Sequence, residues 1–156
     1  MSVLRWLAGR DLPPARYDRV RRAFLAGMGL VHLAAFGSLL AQVEGLIGPQ
    51  GILPAEKLLE RAREVYGEDA GWRKPTLFWW TGAGETALVG TCWAGIAWAL
   101  VLVLGFVPKL ACALLWCLYL SITSVGDVFL GYQWDALLLE TTLLAALWAP
   151  LASSTK

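Results

Sequence analysis

The fold is decided by residues 86–125, which read TALVGTCWAGIAWALVLVLGFVPKLACALLWCLYLSITSV, with Lys109 as the only charged residue. A helix needs about 20 mainly apolar residues to cross the ~30 Å hydrocarbon layer of a bilayer. The tight turn Val107-Pro108-Lys109 divides this stretch into two such segments. We therefore predict two membrane helices, over residues 86–107 and 110–128, joined by a short turn.

Two further apolar segments flank this pair, at residues 23–43 and 132–150. The whole chain of 156 residues is 58% hydrophobic, with a mean hydropathy of +0.58, whereas soluble domains are about 45–50% apolar. We predict an all-α fold: one integral membrane domain, residues 1–156, built as a four-helix bundle in the lipid bilayer. The net charge of +1 provides no basic surplus for neutralising phosphates, which excludes nucleic acid as a partner.

The connection between the first two spans, residues 44–85, has a helix of its own. Gly48-Pro49-Gln50-Gly51 is a turn signal, Pro54 suits the first position of a helix, and Gly67 suits its end. Between them, apolar residues recur at helical spacing: Leu58, Leu59, Ala62, Val65 and Tyr66. We predict an amphipathic helix on the membrane surface or over the mouth of the bundle, within what we call the outer loop (residues 44–85).

Basic residues in the short flanks predict the orientation, because Lys and Arg near membrane helices tend to stay cytoplasmic. Three flanks belong on one side: the amino-terminal flank, the turn at Lys109 and the tail at Lys156. The first of these carries Arg5, Arg10, Arg16, Arg19, Arg21 and Arg22. The apolar run that follows is too long for a signal peptide core and is predicted to be a retained anchor. Both termini are therefore predicted to be cytoplasmic, with the protein in a bacterial inner membrane or in the endoplasmic reticulum.

An aromatic cluster precedes the second span, formed by Trp72 and by residues 75–80, PTLFWW. Trp and Tyr favour the headgroup level of a membrane. The preferred interpretation is an interfacial aromatic belt. The alternative is a surface that docks a client protein or covers a ligand.

Glu140 lies inside the fourth predicted span. Ionisable groups within a membrane normally face the bundle interior or a wet cavity. Gln133 lies seven residues before Glu140 and shares its helical stripe, and His32, the only histidine, lies at a comparable depth in the first span. We predict a candidate intramembrane polar site of His32, Gln133 and Glu140, with a His32–Glu140 contact. Asp135 is interpreted as a cap at the start of the fourth helix.

No metal-binding spacing, catalytic triad or phosphate-binding glycine loop occurs in the chain. We therefore expect no metal and no cofactor, and we prefer a non-enzymatic role without excluding enzymatic activity. The three cysteines lie in apolar runs and are expected to be packing residues. Glycines in the first two spans are expected to let helices approach closely: Gly27, Gly29, Gly90 and Gly95.

Three motifs between the apolar segments resemble those of the lipase maturation factor family. They are residues 48–54 (GPQGILP), 75–79 (PTLFW) and 133–140 (QWDALLLE), and the resemblance extends from about Tyr17 to Pro150. The positions carried over as family motif are Gly51, Ile52, Leu53, Pro54, Gln133, Trp134, Asp135 and Glu140. The four-helix plan is more distantly similar to DoxX-like proteins and to the membrane core of the vitamin K-dependent gamma-carboxylase group.

The resemblance implies a membrane-embedded, chaperone-like maturation factor for exported lipases or other secreted proteins, with a secreted hydrolase as client. Animal members of the family lie in the endoplasmic reticulum and are considerably longer. The family offers no catalytic residues to transfer. Two alternatives stay open: a small DoxX-like membrane subunit that binds a quinone or lipid in redox or lipid chemistry, and a truncated family core without independent activity. The oligomeric state is unknown.

Overall fold

The computed structural model describes residues 17–150, and every regular element in that range is helical. Four long helices are α1 (Asp18–Leu40), α6 (Glu85–Leu104), α7 (Pro108–Gly126) and α8 (Gln133–Trp148). Four short helices lie between α1 and α6, the first of them beginning one residue before the outer loop: α2 (Val43–Ile47), α3 (Ala55–Tyr66), α4 (Ala70–Arg73) and α5 (Phe78–Thr81). The predicted all-α class with an outer amphipathic helix is confirmed. Some of the basic residues from which the orientation is predicted lie outside the described residues: Arg5, Arg10 and Arg16 of the amino-terminal flank, and Lys156 of the tail.

Within residues 17–150, three helices are long and apolar enough to cross a membrane: α1, α6, and α7 with the 3-10 turn Asp127–Phe129 that extends it. α8 has 16 residues, which corresponds to about 24 Å at 1.5 Å per residue. It is thus shorter than the ~30 Å hydrocarbon layer. The fourth span, predicted over residues 132–150, stays a prediction; α8 belongs to the bundle because it packs against α7.

The helices pack in chain order. α1 packs against α6, α6 against α7 and α7 against α8, while α1 and α8 form no comparably close pair. At one end of the bundle the backbone N–H of Lys109 donates to the carbonyl of Pro150 at 3.3 Å. At the same end Phe24 and Trp148 meet edge to face, with ring centroids 6.5 Å apart. The starts of α1 and α7 and the end of α8 therefore lie together, opposite the outer loop.

Two of the four predicted packing glycines bring α1 and α6 together. A Cβ on Gly29 would lie 2.7 Å from Val103 Cγ2, and one on Gly95 would lie 2.5 Å from the ring of Phe36. Gly27 and Gly90 have open space where a Cβ would point. Close approach of these two helices therefore depends on Gly29 and Gly95, as small residues at membrane helix interfaces allow.

The outer amphipathic helix lies where its periodicity predicted it. α3 runs over Ala55–Tyr66 and buries Ala55, Leu59 and Ala62, and Gly67 ends it with a φ of +55°. Glycine adopts such a left-handed backbone at little cost. Pro54 was predicted at the first helical position but precedes it as the N-cap residue, because the helix makes its first turn one residue later.

The segment that re-enters the membrane is held against α7 by hydrogen bonds. The Thr76 hydroxyl donates to the Ser121 carbonyl at 3.0 Å, and the Leu77 N–H donates to the Ser121 hydroxyl at 3.1 Å. The Ser124 hydroxyl donates to the Pro75 carbonyl at 2.8 Å. Thr76 and Ser121 are buried, where such bonds are costly to leave unmade. The outer loop is therefore fixed to the bundle on this side.

Candidate functional site

The structure separates the three residues of the predicted intramembrane site. His32 is fully buried, whereas Gln133 and Glu140 are exposed on the surface of α8. The predicted His32–Glu140 contact is wrong, since neither a hydrogen bond nor an ion pair joins these side chains. Gln133 and Glu140 do share one stripe of α8, as predicted, but this stripe faces outward. The residues that α8 buries are Asp135, Thr142, Ala145 and Ala146.

His32 takes its partners from α1 and α8. Its Nδ1 lies 3.0 Å from the Met28 carbonyl oxygen, and its Nε2 lies 3.3 Å from the Thr142 hydroxyl. The Met28 carbonyl can only accept, so Nδ1 carries a proton. The Thr142 hydroxyl also lies 2.5 Å from the Leu138 carbonyl. His32 thereby bridges α1 and α8, and Thr142 takes the place predicted for Glu140.

An outward-facing Glu140 makes a prediction for stability. Because its side chain lacks a partner within residues 17–150, we expect neither Glu140→Gln nor Glu140→Leu to lower the free energy of unfolding by more than about 0.5 kcal/mol, as is usual for surface substitutions. Unfolding by SDS, followed by tryptophan fluorescence, measures it. Selective destabilisation by Glu140→Leu would contradict the outward orientation.

The carboxylate that α8 does bury is Asp135. Its Oδ1 accepts from the Tyr119 hydroxyl of α7 at 2.5 Å, and its Oδ2 accepts from the backbone N–H of Tyr132 at 3.3 Å. The bond from the Tyr132 N–H is the capping interaction predicted from the sequence. The bond from the Tyr119 hydroxyl was not predicted, because nothing in the local sequence indicates which way the Tyr119 side chain points within a long apolar run.

Aromatic rings surround this polar pair. Tyr119 meets Phe36 edge to face at 5.5 Å between ring centroids, and meets His32 in the same way at 5.9 Å. Such edge-to-face pairs are favourable arrangements of ring quadrupoles. His32, Phe36, Tyr119, Asp135 and Thr142 therefore form one buried cluster that connects α1, α7 and α8; we call it the polar cluster.

A groove of about 420 Å³ opens beside the polar cluster, between α1 and α8. We call it the α1/α8 groove. Polar and apolar residues line it together at the outer-loop end: Ser38, Gln42, Tyr119, Tyr132 and Asp135 with Leu39, Leu46, Phe129, Leu130 and Trp134. The residues that line it farther along the helices are all apolar: Val31, Ala34, Ala35 and Leu138. Its volume falls in the range of about 300–1,000 Å³ that is usual for small-molecule sites. It exists because α1 and α8 do not pack closely along this side.

The predicted aromatic cluster divides into anchored and exposed rings. Phe78 is buried, and the Trp79 indole N–H donates to the Lys74 carbonyl at 2.8 Å, beneath the guanidinium of Arg63 at 5.0 Å from the ring centroid. Trp72 and Trp80 are 91% and 81% exposed. The outer loop thus holds two of these rings in place and presents the other two.

The remaining family motif positions lie at the same end of the molecule. Gly51 sits in a tight turn, since a Cβ there would lie 2.9 Å from the Glu44 carbonyl oxygen. Ile52 is 70% exposed, and Leu53 and Trp134 are also exposed. No three His, Cys, Asp or Glu side chains among residues 17–150 converge to hold a metal ion. The structure therefore presents two candidate binding features: an outer loop attached to α7 by hydrogen bonds, and a groove whose polar side chains lie at one end.

Known proteins are similar to this sequence over most of its length. Residues 19–156 match the family model described as the lipase maturation factor transmembrane domain. Lipase maturation factor 2 of Homo sapiens is 39% identical over 151 residues, which cover 93% of this chain and 20% of the relative. Lipase maturation factor 1 of Mus musculus is 30% identical over 139 residues, covering 84% of this chain and 24% of the relative.

The same similarity extends to amphibian relatives. Lipase maturation factor 2 of Xenopus laevis is 41% identical over 137 residues, 84% of this chain and 19% of the relative. The chain thus spans about a fifth of the length of the curated relatives it matches. No solved structure matches it. With apolar helices that can span a bilayer and a family model that covers nearly all of its sequence, this integral membrane protein belongs to the lipase maturation factor family.

Proposed function

We propose that this protein is a membrane-embedded maturation factor, chaperone-like in action, for exported lipases or other secreted proteins. Family membership supports this, since the relatives are named for lipase maturation. This chain corresponds to about a fifth of those relatives, so its own client, a secreted hydrolase, is part of the proposal. The site that would hold the client is the outer loop.

The observation that carries the proposal is the exposed apolar surface of that loop. Trp72, Trp80, Val65 and Ile52 are each at least 65% exposed. Exposed apolar patches mark interaction sites, and Trp is enriched among the residues that dominate binding energy. An incompletely folded client exposes apolar segments of its own. The outer loop would bury those segments and so keep them from aggregating.

The attachment of the outer loop makes it suitable for such binding. Thr76 and Leu77 are bonded to Ser121 of α7, and Lys74 lies 3.8 Å from Asp127 at the end of α7. A surface held in place loses little conformational freedom when a partner binds, which favours affinity. The same anchoring keeps Trp72 and Trp80 close to the membrane, where a newly exported chain arrives.

Orientation is part of this proposal. The predicted cytoplasmic placement of both termini puts the outer loop on the exported side of the membrane. That placement rests on basic flanks, which include Lys109 in the first turn of α7 and, at the start of α1, Arg19, Arg21 and Arg22. A bacterial inner membrane or the endoplasmic reticulum membrane satisfies it, since secreted proteins emerge on the opposite face of each.

The test uses a strain that lacks the gene, complemented with variants. We expect the Trp72→Ala, Trp80→Ala double variant to lower crosslinked client and secreted hydrolase activity about tenfold, equivalent to a loss of about 1.4 kcal/mol in binding. The matched control is Trp93→Ala, an exposed tryptophan near the middle of α6, about 12 Å along the helix from its start at the outer loop. Secreted activity is measured per amount of secreted enzyme, so that maturation is separated from export.

Two results would contradict the proposal. One is a full set of active exported hydrolases from the strain lacking the gene. The other is an equal effect of the Trp93→Ala control and the double variant, which would identify Trp72 and Trp80 as part of an interfacial belt. Western blotting of membrane fractions establishes that all variants are present in equal amounts.

A second candidate function is a small membrane subunit that binds a quinone or a lipid. The α1/α8 groove favours it, because the groove is lined by Tyr119 and Asp135 at one end and by apolar residues at the other. Native mass spectrometry of protein extracted gently from its own membranes separates the candidates. A co-purifying exported polypeptide supports the maturation factor, and a stoichiometric quinone without a polypeptide supports the redox subunit.

A further inference from the structure

The α1/α8 groove has a graded polarity along its length. Ser38 lines it near the end of α1 and Gln42 lines it in the turn that follows, whereas Val31 lies seven residues before Ser38. Seven residues of helix extend about 10 Å. The polar end lies toward the outer loop, and the apolar end lies deeper along a helix that is apolar enough to span the membrane. A bilayer lipid has the same gradient in the same direction, from head group to acyl chain.

The polar end also contains an uncompensated carboxylate. Asp135 is 4% exposed, and the ion pairs formed by residues 17–150 join Arg21 to Asp18 and Lys74 to Asp127. No cation in that part of the chain therefore pairs with Asp135. Buried charges are normally paired, although the start of α8 provides a favourable dipole.

Acceptor capacity remains at this carboxylate. An ionised carboxylate has about four lone-pair sites, and Tyr119 and Tyr132 each donate one hydrogen bond to Asp135. Gln42 donates through Nε2 to Ser38, which leaves its carbonyl oxygen as a second acceptor beside the groove. The groove therefore offers oxygen acceptors and negative charge at its polar end, a combination that matches a hydrogen-bond-donating cation.

We propose that the α1/α8 groove binds a phospholipid whose head group carries a primary ammonium, with that ammonium at Asp135 and an acyl chain along Val31, Ala35 and Leu138. A quaternary ammonium head group lacks the N–H donors that these acceptors need. The groove would thus select an aminophospholipid from the leaflet at the outer-loop end. Trp72 and Trp80 of the outer loop do not line this groove, so lipid binding and client binding can be tested independently of each other.

The test compares two lipids with identical acyl chains. The full chain is reconstituted in nanodiscs that contain equal amounts of phosphatidylethanolamine and phosphatidylcholine, released into mild detergent, and the retained lipids are counted by native mass spectrometry. We expect the parent protein to retain phosphatidylethanolamine at least about fivefold over phosphatidylcholine, and Asp135→Asn to reduce this ratio to near one. An aminophospholipid binding only as general annulus would persist in Asp135→Asn.

A second variant tests the groove without altering the polar cluster. Ala34 lines the groove and is exposed, so Ala34→Phe fills it from outside the core and should abolish retention of the specific lipid. Ala97→Phe, on the exposed face of α6, is the matched control and should retain it. Circular dichroism and size-exclusion profiles confirm folding of each variant.

Three outcomes would overturn the proposal: equal retention of the two lipids by the parent protein, an unchanged lipid ratio in Asp135→Asn, or undiminished retention in Ala34→Phe. A quinone, an exported polypeptide or a second copy of the chain that competes with lipid retention, and is lost in Ala34→Phe, would identify a different occupant and equally overturn it.

Discussion

Replacing Gly95 with leucine is expected to lower the free energy of unfolding of the bundle by about 3 kcal/mol or more. A Cβ on Gly95 would lie 2.5 Å from ring atoms of Phe36, and that ring has no room to withdraw, because it is fully buried against His32 and Tyr119. Forcing extra atoms into a packed core typically costs about 1–3 kcal/mol, and more where backbones must separate. α1 and α6 would have to move apart.

Gly90→Leu is the control for this prediction. Gly90 lies on the same helix, but nothing occupies the space within 4 Å of its Cβ position, so the stability of this variant should stay within about 0.5 kcal/mol of the parent. SDS-induced unfolding of the purified protein in mixed micelles measures both. Equal midpoints for Gly95→Leu and Gly90→Leu would show that α1 and α6 do not meet as the structure has them.

The second large effect is expected at the polar cluster. Asp135→Asn keeps the shape of the side chain but removes its charge, and it leaves one acceptor oxygen where Asp135 uses two, one for the Tyr119 hydroxyl and one for the Tyr132 N–H. Hydrogen bonds to charged groups contribute about 1.5–3 kcal/mol. We therefore expect a loss of about 2–3 kcal/mol in the free energy of unfolding. Asp127→Asn, an exposed acid at the same end, should cost at most about 1 kcal/mol.

A double-mutant cycle with Tyr119→Phe isolates the contact itself. If the Tyr119 hydroxyl bonds to Asp135 as observed, the two substitutions should be non-additive by about 1 kcal/mol or more, as for residues in direct contact. Additive losses would indicate that Asp135 stabilises α8 only as a cap. The cycle is measured by the same SDS unfolding.

The elements of the fold could be predicted because their signals are local. The apolar runs predicted α1, α6 and α7, and the recurrence of apolar residues after Pro54 predicted α3 with its end at Gly67. The prediction that glycines allow α1 and α6 to pack closely was also correct at Gly29 and Gly95. In each case hydropathy, periodicity or a turn residue is enough, because the bilayer or the helix geometry itself imposes the pattern.

The candidate site could be predicted only in part. His32 was correctly placed inside the bundle, but its partner is Thr142 and not Glu140. Glu140 suggested a site because a charged residue is rare in an apolar run. Nothing in the sequence distinguishes Thr142 from other polar residues, and a capping role was sufficient to explain Asp135. The hydrogen bonds of Thr76 with Ser121, and of Tyr119 with Asp135, connect segments that are separated along the chain.

The sequence by itself determined that this is an all-helical membrane protein, where α1, α6 and α7 lie to within about five residues, and that it carries the motifs of its family. Only the tertiary structure decided which side of α8 faces inward. Leu137 and Leu144 point outward, while Thr142 and Ala145 are buried. Lipid chains are as apolar as leucine, so in a membrane hydrophobicity does not mark the core. Side-chain size and hydrogen bonding to neighbouring helices select that face, and these depend on which helices become neighbours.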